Sequence, residues 1–212
     1  MPEHSPTAER LLQQAQAGDD CALACLFNQH RGRLRNLLAF RMDKHLHARL
    51  DPSDILQESF LTVARRIGEY DQETKVSFFV WVRAITMDRL LYAYRQHITT
   101  QKRDARRDLS LECQVGENAT SMSIAVALLA NGTSQLGQLI RKEQTAKLLE
   151  RLSEMDAVDQ EIIAMRVFEG LTNGEAAEAL DITKRAASKR FVRAIRRLRI
   201  VISDIPGMKK VL

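Results

Sequence analysis

The chain has 212 residues, 45% hydrophobic and only 5% aromatic, a length that suits one sizeable domain or two small ones. Lys and Arg outnumber Asp and Glu by 32 to 27, and the resulting charge of +5 favours a polyanionic partner. The sequence has no apolar run of membrane-spanning length, no secretory signal pattern at its start, and only three cysteines. We therefore expect a cytoplasmic protein with reduced thiols and no membrane insertion.

The distribution of residue types predicts an all-α fold of two helical domains joined by a linker. Prolines stand only at positions 2, 6, 52 and 206, so no proline interrupts a helix between them. Residues 110–139 contain no Lys or Arg and are rich in Gly, Ser, Thr and Asn, which is typical of a linker. We predict an N-terminal domain at 1–109, a linker at 110–139 with at most one short helix around 123–130, and a C-terminal domain at 140–212.

Four helices are predicted in the first domain. Thr7 is placed to cap the first helix, and a second follows over residues 21–40. Asp51 precedes Pro52 at the start of the third, whose apolar residues recur at spacings of three and four until Gly68 ends it. After a polar loop, the fourth helix covers residues 78–95.

The helix over residues 78–95 is expected to have an apolar and a polar side. A basic run at 102–107 extends the polar side. The core-facing residues are predicted to be Phe78, Trp81, Val82, Ile85 and Leu91, and the outer residues Arg83, Asp88, Arg89, Tyr92 and Arg95.

The C-terminal part has the pattern of a helix-turn-helix. Thr172 is placed to cap one short helix, and Thr183 to cap a longer one that reaches about residue 202. Residues 150–181 hold nine acidic and two basic residues, whereas residues 183–199 hold eight basic residues and no acidic one. Two helices around a short turn, the second intensely basic, indicate DNA binding.

The basic helix is interpreted as a recognition helix, because like charges at close helical spacing repel and an external phosphate would offset them. A solvated surface is the ordinary alternative. The residues with the spacing of its buried face are Ala186, Ala187, Phe191, Ala194, Ile195 and Leu198. Residues at the start of such a helix contact bases, and later ones contact phosphates. The predicted base-contacting residues are Lys184, Arg185, Ser188 and Lys189, and the predicted phosphate-contacting residues are Arg190, Arg193, Arg196 and Arg197.

Ordered motifs in both halves resemble those of bacterial RNA polymerase sigma factors of the extracytoplasmic-function (ECF) group. Residues 54–60, DILQESF, and 79–85, FVWVRAI, resemble that group's D-x-x-Q-E-x-F and F-x-x-W-L-x-x-I motifs. Residues 171–177, LTNGEAA, and 186–190, AASKR, resemble its second domain.

The resemblance extends over about residues 7–108 and 143–202. The pairing of DPSD at 51–54 with ASKR at 187–190 is especially similar to sigma factors of planctomycetes.

The resemblance implies that the helix over 54–66 binds the clamp helices of the largest subunit of core RNA polymerase. The loop at 70–77 and the helix at 78–95 would open and hold the minus-ten element, and the C-terminal domain would bind the minus-thirty-five element. The implied core-binding residues are Asp54, Gln57, Glu58 and Arg65. The implied minus-ten residues are Tyr70, Arg83, Asp88, Arg89, Tyr92 and Arg95.

The roles of two of the implied minus-ten residues have more than one interpretation. Tyr70 is placed to stack on an unpaired base, and its alternative is a loop tyrosine packed on the core. Asp88 stands where many members of the group have asparagine, which leaves the minus-ten preference open.

A sigma factor of this group acts without ATP and performs no chemistry itself, so we expect no cofactor and no catalytic residue. An anti-sigma protein is an expected partner from the family.

Three alternatives remain at this point. The first is a two-domain helix-turn-helix regulator that acts without core polymerase, and the second is a helical adaptor that uses the acidic 150–181 segment. The third is a zinc or redox site at Cys21, Cys25 and His30, against which we expect both cysteines to be buried as small hydrophobic residues.

Overall fold

The computed structural model describes residues 6–42, 44–47, 49–71, 76–101, 119–129 and 137–205, which form helices and no strand. Contacts divide the chain into two compact units, Met1–Gln101 and Lys102–Leu212. Within the described ranges, no helix combines the length and apolar character needed to cross a membrane. The prediction of an all-α fold is confirmed.

The first unit is a helical bundle around α2. This helix packs against α1, α4 and α5, and α4 packs against α5. Leu34, Val63 and Val82 are fully buried between these helices. The helices are α1 (Pro6–Gln16), α2 (Asp20–Arg41), α3 (Lys44–His47), α4 (Pro52–Arg66) and α5 (Phe78–Gln101), with a short 3₁₀ turn at Ile67–Glu69.

The helix starts of the first unit follow local sequence signals. Asp51 caps α4, since its carboxylate accepts a hydrogen bond of 2.7 Å from the Ser53 amide. The predicted cap at Thr7 is wrong: α1 begins at Pro6, so Thr7 lies inside its first turn. Proline is favourable in the first turn of a helix, where amide hydrogens have no helical partner.

Asp51 gives the start of α4 a dependence on pH. The Ser53 amide donates to its carboxylate and lowers the pKa of Asp51 below the ordinary value of 3.8. Because the folded-state pKa is lowered, the cap stabilises fully above the unfolded pKa, near pH 4, and is lost as pH falls through the folded pKa. The hydroxyl cap of an Asp51→Ser variant does not titrate, so we expect this variant to lose less Tm in acid than the wild type does. Thermal unfolding is measured by Trp81 fluorescence. Asp51→Ala should lower Tm near neutral pH, where the wild-type cap is present, and the difference from the wild type should shrink in acid. An acid loss in Asp51→Ser equal to that of the wild type would contradict the assignment.

The second unit is built around the long C-terminal helix α10. This helix packs against α7, α8 and α9. The helices are α6 (Ala119–Leu129), α7 (Gly137–Ser153), α8 (Ala157–Ile163), which continues into a π-helical turn at Ala164–Phe168, α9 (Asn173–Ala179) and α10 (Lys184–Ser203).

Part of the predicted linker belongs to the second unit. Helix α6 starts at Ala119, earlier than the helix predicted around 123–130, and packs against α7 and α8 with Ile124 and Ala125 fully buried. Residues 119–129 contain no charged side chain. Such a composition suits a buried helix as well as a linker, so composition alone could not distinguish between them. The basic run at 102–107 lies outside the described residues.

The helix-turn-helix forms as the capping residues predict. Thr172 and Glu175 make a reciprocal capping box at the start of α9, and the Thr183 hydroxyl accepts from the Ala186 amide at 3.1 Å. Between the helices, Asp181 has a φ of +50°, in the left-handed region that few residues other than glycine adopt. The turn is therefore closed by local bonds and one left-handed residue.

Candidate nucleic-acid interface

The start of α10 presents the four residues predicted to contact bases. Lys184, Arg185, Ser188 and Lys189 are all exposed. The Asn173 side-chain amide donates to the Lys184 carbonyl at 2.8 Å, which fixes the start of α10 against the start of α9. The start of α10 is thus fixed by its contact with α9, while the side chains named above remain accessible to a partner.

The buried face of α10 is narrower than predicted. Ala187, Ala194 and Leu198 are buried as expected. Ala186 is exposed and Ile195 is only half-buried, so the prediction is wrong for both. Phe191 is only half-buried, so its assignment to the core is wrong, and the Arg166 guanidinium lies 5.0 Å from its ring centroid. The stripe centres on the two alanines and Leu198, which leaves Phe191 at its edge.

Three of the four arginines predicted to contact phosphate form ion pairs with one carboxylate. Asp159, which is fully buried, lies 3.0 Å from Arg190, 3.5 Å from Arg193 and 3.1 Å from Arg197. Arg190 also lies 3.0 Å from Asp156. Carboxylates of the protein itself therefore offset part of the charge of these three arginines, in addition to the external phosphate expected from the sequence.

Arg196 differs from the other three arginines. It is exposed, and no ion pair joins it to another residue in the part of the chain that the structure describes. Its guanidinium is available to an external anion.

Helix α4 carries an exposed polar face, which we call the α4 face and define as Asp54, Gln57, Glu58, Leu61 and Arg65. The four polar residues are exposed, as the sequence predicts. Leu61 is 50% exposed and lies three or four residues from Gln57, Glu58 and Arg65, which places it between them. Sequence reasoning missed Leu61 because leucine is usually assigned to the core, yet its spacing from these three residues was a usable signal.

Tyr70 is part of the core of the first unit. It is 8% exposed, its hydroxyl donates to the Val76 carbonyl at 2.9 Å, and its ring lies 5.6 Å from that of Phe78 and 5.2 Å from that of Trp81. The prediction of a base-stacking position at Tyr70 is wrong for this conformation. The alternative, a tyrosine packed on the core, describes it.

The outer side of α5 holds most of the other predicted minus-ten residues. Asp88 and Arg95 are exposed, and Tyr92 is 48% exposed with the Arg89 guanidinium 5.4 Å from its ring centroid. Arg83 is only 7% exposed, so its placement on the outer side is wrong. It stands four residues after buried Phe79 and three before buried Thr86, and this helical register outweighs its charge.

The cysteines of α2 are exposed, contrary to the expectation that they are buried. Cys21 and Cys25 are free thiols. The His30 ring lies against Phe78 and Phe79, with centroids 5.8 and 5.5 Å away. Among the described residues, no group of three or more His, Cys, Asp or Glu side chains could hold a metal ion.

These features define the class of the protein. It has two helical units, and it contains a helix-turn-helix whose second helix is basic and accessible. The sequence profile of the ECF sigma factor family matches residues 7–200, and the chain belongs to that family.

The chain is similar to one relative whose name places it in the same family. It is 24% identical over 194 residues to the ECF RNA polymerase sigma factor BldN of Streptomyces coelicolor, covering 92% of this chain and 65% of that relative. The chain thus spans slightly less than two thirds of the relative's length.

One solved structure supports the fold, and a second is a match at a lower TM-score. CnrH, solved in complex with the cytosolic domain of CnrY, matches with a TM-score of 0.53 and 18% identity, over 93% of this chain and 97% of that one. The RsbN–BldN complex matches with a TM-score of 0.30 and 18% identity, over 90% and 98%.

Proposed function

We propose that the protein is a cytoplasmic sigma factor that binds core RNA polymerase, recognises promoter DNA and initiates transcription without ATP. The observation that carries the proposal is the family match, which runs through both units from residue 7 to residue 200. The exposed α4 face and the exposed start of α10 support it, because they supply one surface for each partner. We place the protein nearest to the planctomycete members, on the motifs at 51–54 and 187–190.

Core polymerase binds through the α4 face in this proposal. Asp54, Gln57 and Glu58 meet basic side chains of the clamp helices, and Arg65 meets acidic ones. Leu61 supplies apolar contact area at the centre of the face, where side chains that lose water contribute most to affinity.

Promoter DNA binds at two places. Lys184, Arg185, Ser188 and Lys189 contact bases of the minus-thirty-five element, and Arg196 contacts its backbone. The outer side of α5 holds the melted minus-ten strand through Asp88, Arg89, Tyr92 and Arg95.

Strand opening without ATP needs unpaired bases to be favourably placed on the protein, since extruding a base costs a few kcal/mol. Stacking on an aromatic ring returns about 1–3 kcal/mol per base. The exposed ring of Tyr92 is the aromatic group that the outer side of α5 offers for such stacking.

A protein partner of the anti-sigma kind is part of the proposal. CnrH, with which this chain shares its fold, forms a complex with the cytosolic domain of CnrY. We propose that a comparable partner covers this chain's polymerase- or DNA-binding surfaces.

Transcription in vitro tests the proposal. Core polymerase is mixed with the protein and a genomic template library, and start sites are mapped. We expect start sites that require the protein, together with comigration of protein and core enzyme. Tight footprinting of a duplex operator by the isolated protein, without comigration, would establish the regulator alternative.

The start of α10 should determine promoter choice. Replacing Arg185 or Lys189 by Ala is expected to cost about 1–3 kcal/mol at one base position of the upstream element, because a base contact is lost. Arg196→Ala should weaken all promoters alike. Holoenzyme competition assays on single-base promoter variants measure the difference, and equal losses on every promoter for all three variants would refute the assignment.

A further inference from the structure

One buried carboxylate holds three arginines of α10. Asp159 lies in the first turn of α8, and its Oδ1 atom accepts from Arg190 at 3.0 Å while Oδ2 accepts from Arg197 at 3.1 Å. Arg193 lies 3.5 Å from Oδ1. Both carboxylate oxygens are therefore engaged by α10.

Six of the eight basic residues of α10 form two stripes, and Lys184 and Arg199 lie outside both. With ~100° of rotation per residue, Arg185, Lys189 and Arg196 align on one line along the helix. Arg190, Arg193 and Arg197 align on a second line, about 90° around the helix from the first. Only the second stripe faces Asp159.

Moving an arginine of the second stripe to a phosphate has a cost. Asp159 has no exposed surface, so a departing guanidinium leaves a buried charge with fewer partners. Phosphate contacts also add affinity for every DNA sequence and no discrimination between sequences.

We propose that Asp159 is a specificity-determining residue that withholds Arg190, Arg193 and Arg197 from DNA and so limits sequence-independent binding of α10. The proposal rests on the DNA-binding role of α10 proposed above and assigns the backbone contact to Arg196 alone among these four arginines. Asp159 acts through the arginines and touches no DNA itself.

The salt dependence of binding tests the proposal on the full-length protein. The logarithm of the association constant for a fluorescent duplex of arbitrary sequence falls with the logarithm of salt concentration, by about 0.9 in slope for each phosphate contact. We expect Arg196→Gln to make the slope shallower by about 0.9. Arg197→Gln, one residue away, should leave the slope unchanged, and an equal change in both variants would overturn the proposal.

Releasing the arginines is the reverse test. Asp159→Asn should steepen the slope by about 1–3 and tighten binding to the same duplex, because up to three arginines become available. The matched control is Asp156→Asn, which removes an exposed carboxylate that pairs with Arg190 and with neither Arg193 nor Arg197, so the slope should steepen by at most about 0.9. Asparagine can keep the bond from the Val158 amide that caps α8. Circular dichroism checks that the Asp159→Asn protein is folded. If it is folded and the slope is unchanged or shallower, the proposal is overturned. If it does not fold, the comparison of Arg196→Gln with Arg197→Gln decides the question.

These measurements contain no polymerase. Comigration with core enzyme is measured separately on the wild type, so failure of the sigma assignment and failure of the Asp159 proposal give different results.

Discussion

Replacing Gln57 and Glu58 together by Ala is expected to weaken binding to core polymerase by at least about 30-fold, which corresponds to roughly 2 kcal/mol. Both side chains are exposed on the α4 face, so their removal leaves the core of the first unit unchanged. Affinity is measured by titrating labelled protein with core enzyme, and Tm is measured in parallel. Wild-type affinity in the double variant would show that polymerase does not bind this face.

Two single variants sharpen this test. Leu61→Ala removes only apolar area from the α4 face and should also weaken core binding. Arg66→Gln is the control, because Arg66 points away from the face and pairs with Glu69 at 2.8 Å. Loss of affinity in Arg66→Gln equal to that in Leu61→Ala would show that charge on α4, and not the face, determines binding.

Replacing Gln160 by Leu should destabilise the second unit by about 2–4 kcal/mol. Gln160 is buried, and its amide nitrogen donates to the carbonyls of Leu152 at 3.0 Å and Met155 at 3.1 Å. Its amide oxygen accepts from the Ser121 hydroxyl. One side chain thus joins α6, the end of α7 and α8, and a leucine removes all three bonds. The Leu152 carbonyl still accepts from the Met155 amide at 3.0 Å, whereas the Met155 carbonyl and the Ser121 hydroxyl lose Gln160 as a partner.

The single tryptophan makes the Gln160 experiment selective. Trp81 lies in the first unit, so its fluorescence during denaturation follows that unit, whereas circular dichroism follows both. We expect the Gln160→Leu variant to shift only the dichroism. The control Glu154→Gln removes an exposed pair with Arg151 and should change stability by less than about 0.5 kcal/mol. An unshifted dichroism transition in Gln160→Leu would contradict the role of this side chain.

Features encoded by neighbouring residues could be predicted from the sequence. The caps at Thr172 and Thr183 form as predicted, because a capping side chain bonds to amides two or three residues away. At the start of α4 the sequence allows either an aspartate or a serine as the cap, and the structure has Asp51. The exposed polar residues of α4 follow for the same reason, since spacing along one helix fixes which residues share a face.

Features that depend on distant residues could not be predicted. Asp159 pairs with Arg190 and Arg197, which lie 31 and 38 residues later in the chain. The change from acidic to basic composition near residue 182 indicates that the two segments attract each other, but it does not identify which residues pair. Tyr70 is buried because its ring packs against Phe78 and Trp81 of α5, a contact that its position in a loop does not indicate. Arg83, by contrast, shares a helical register with buried Phe79 and Thr86, so its spacing was a usable signal although its charge favours exposure.

The φ of +50° at Asp181 limits which residue types can occupy this position of the turn between α9 and α10. Glycine, asparagine and aspartate accept that backbone geometry, whereas a β-branched residue is strained there. We expect position 181 to tolerate only these few residue types. In the function proposed above, a change of promoter preference would then come from the exposed side chains of α10, while the geometry of the turn stays the same.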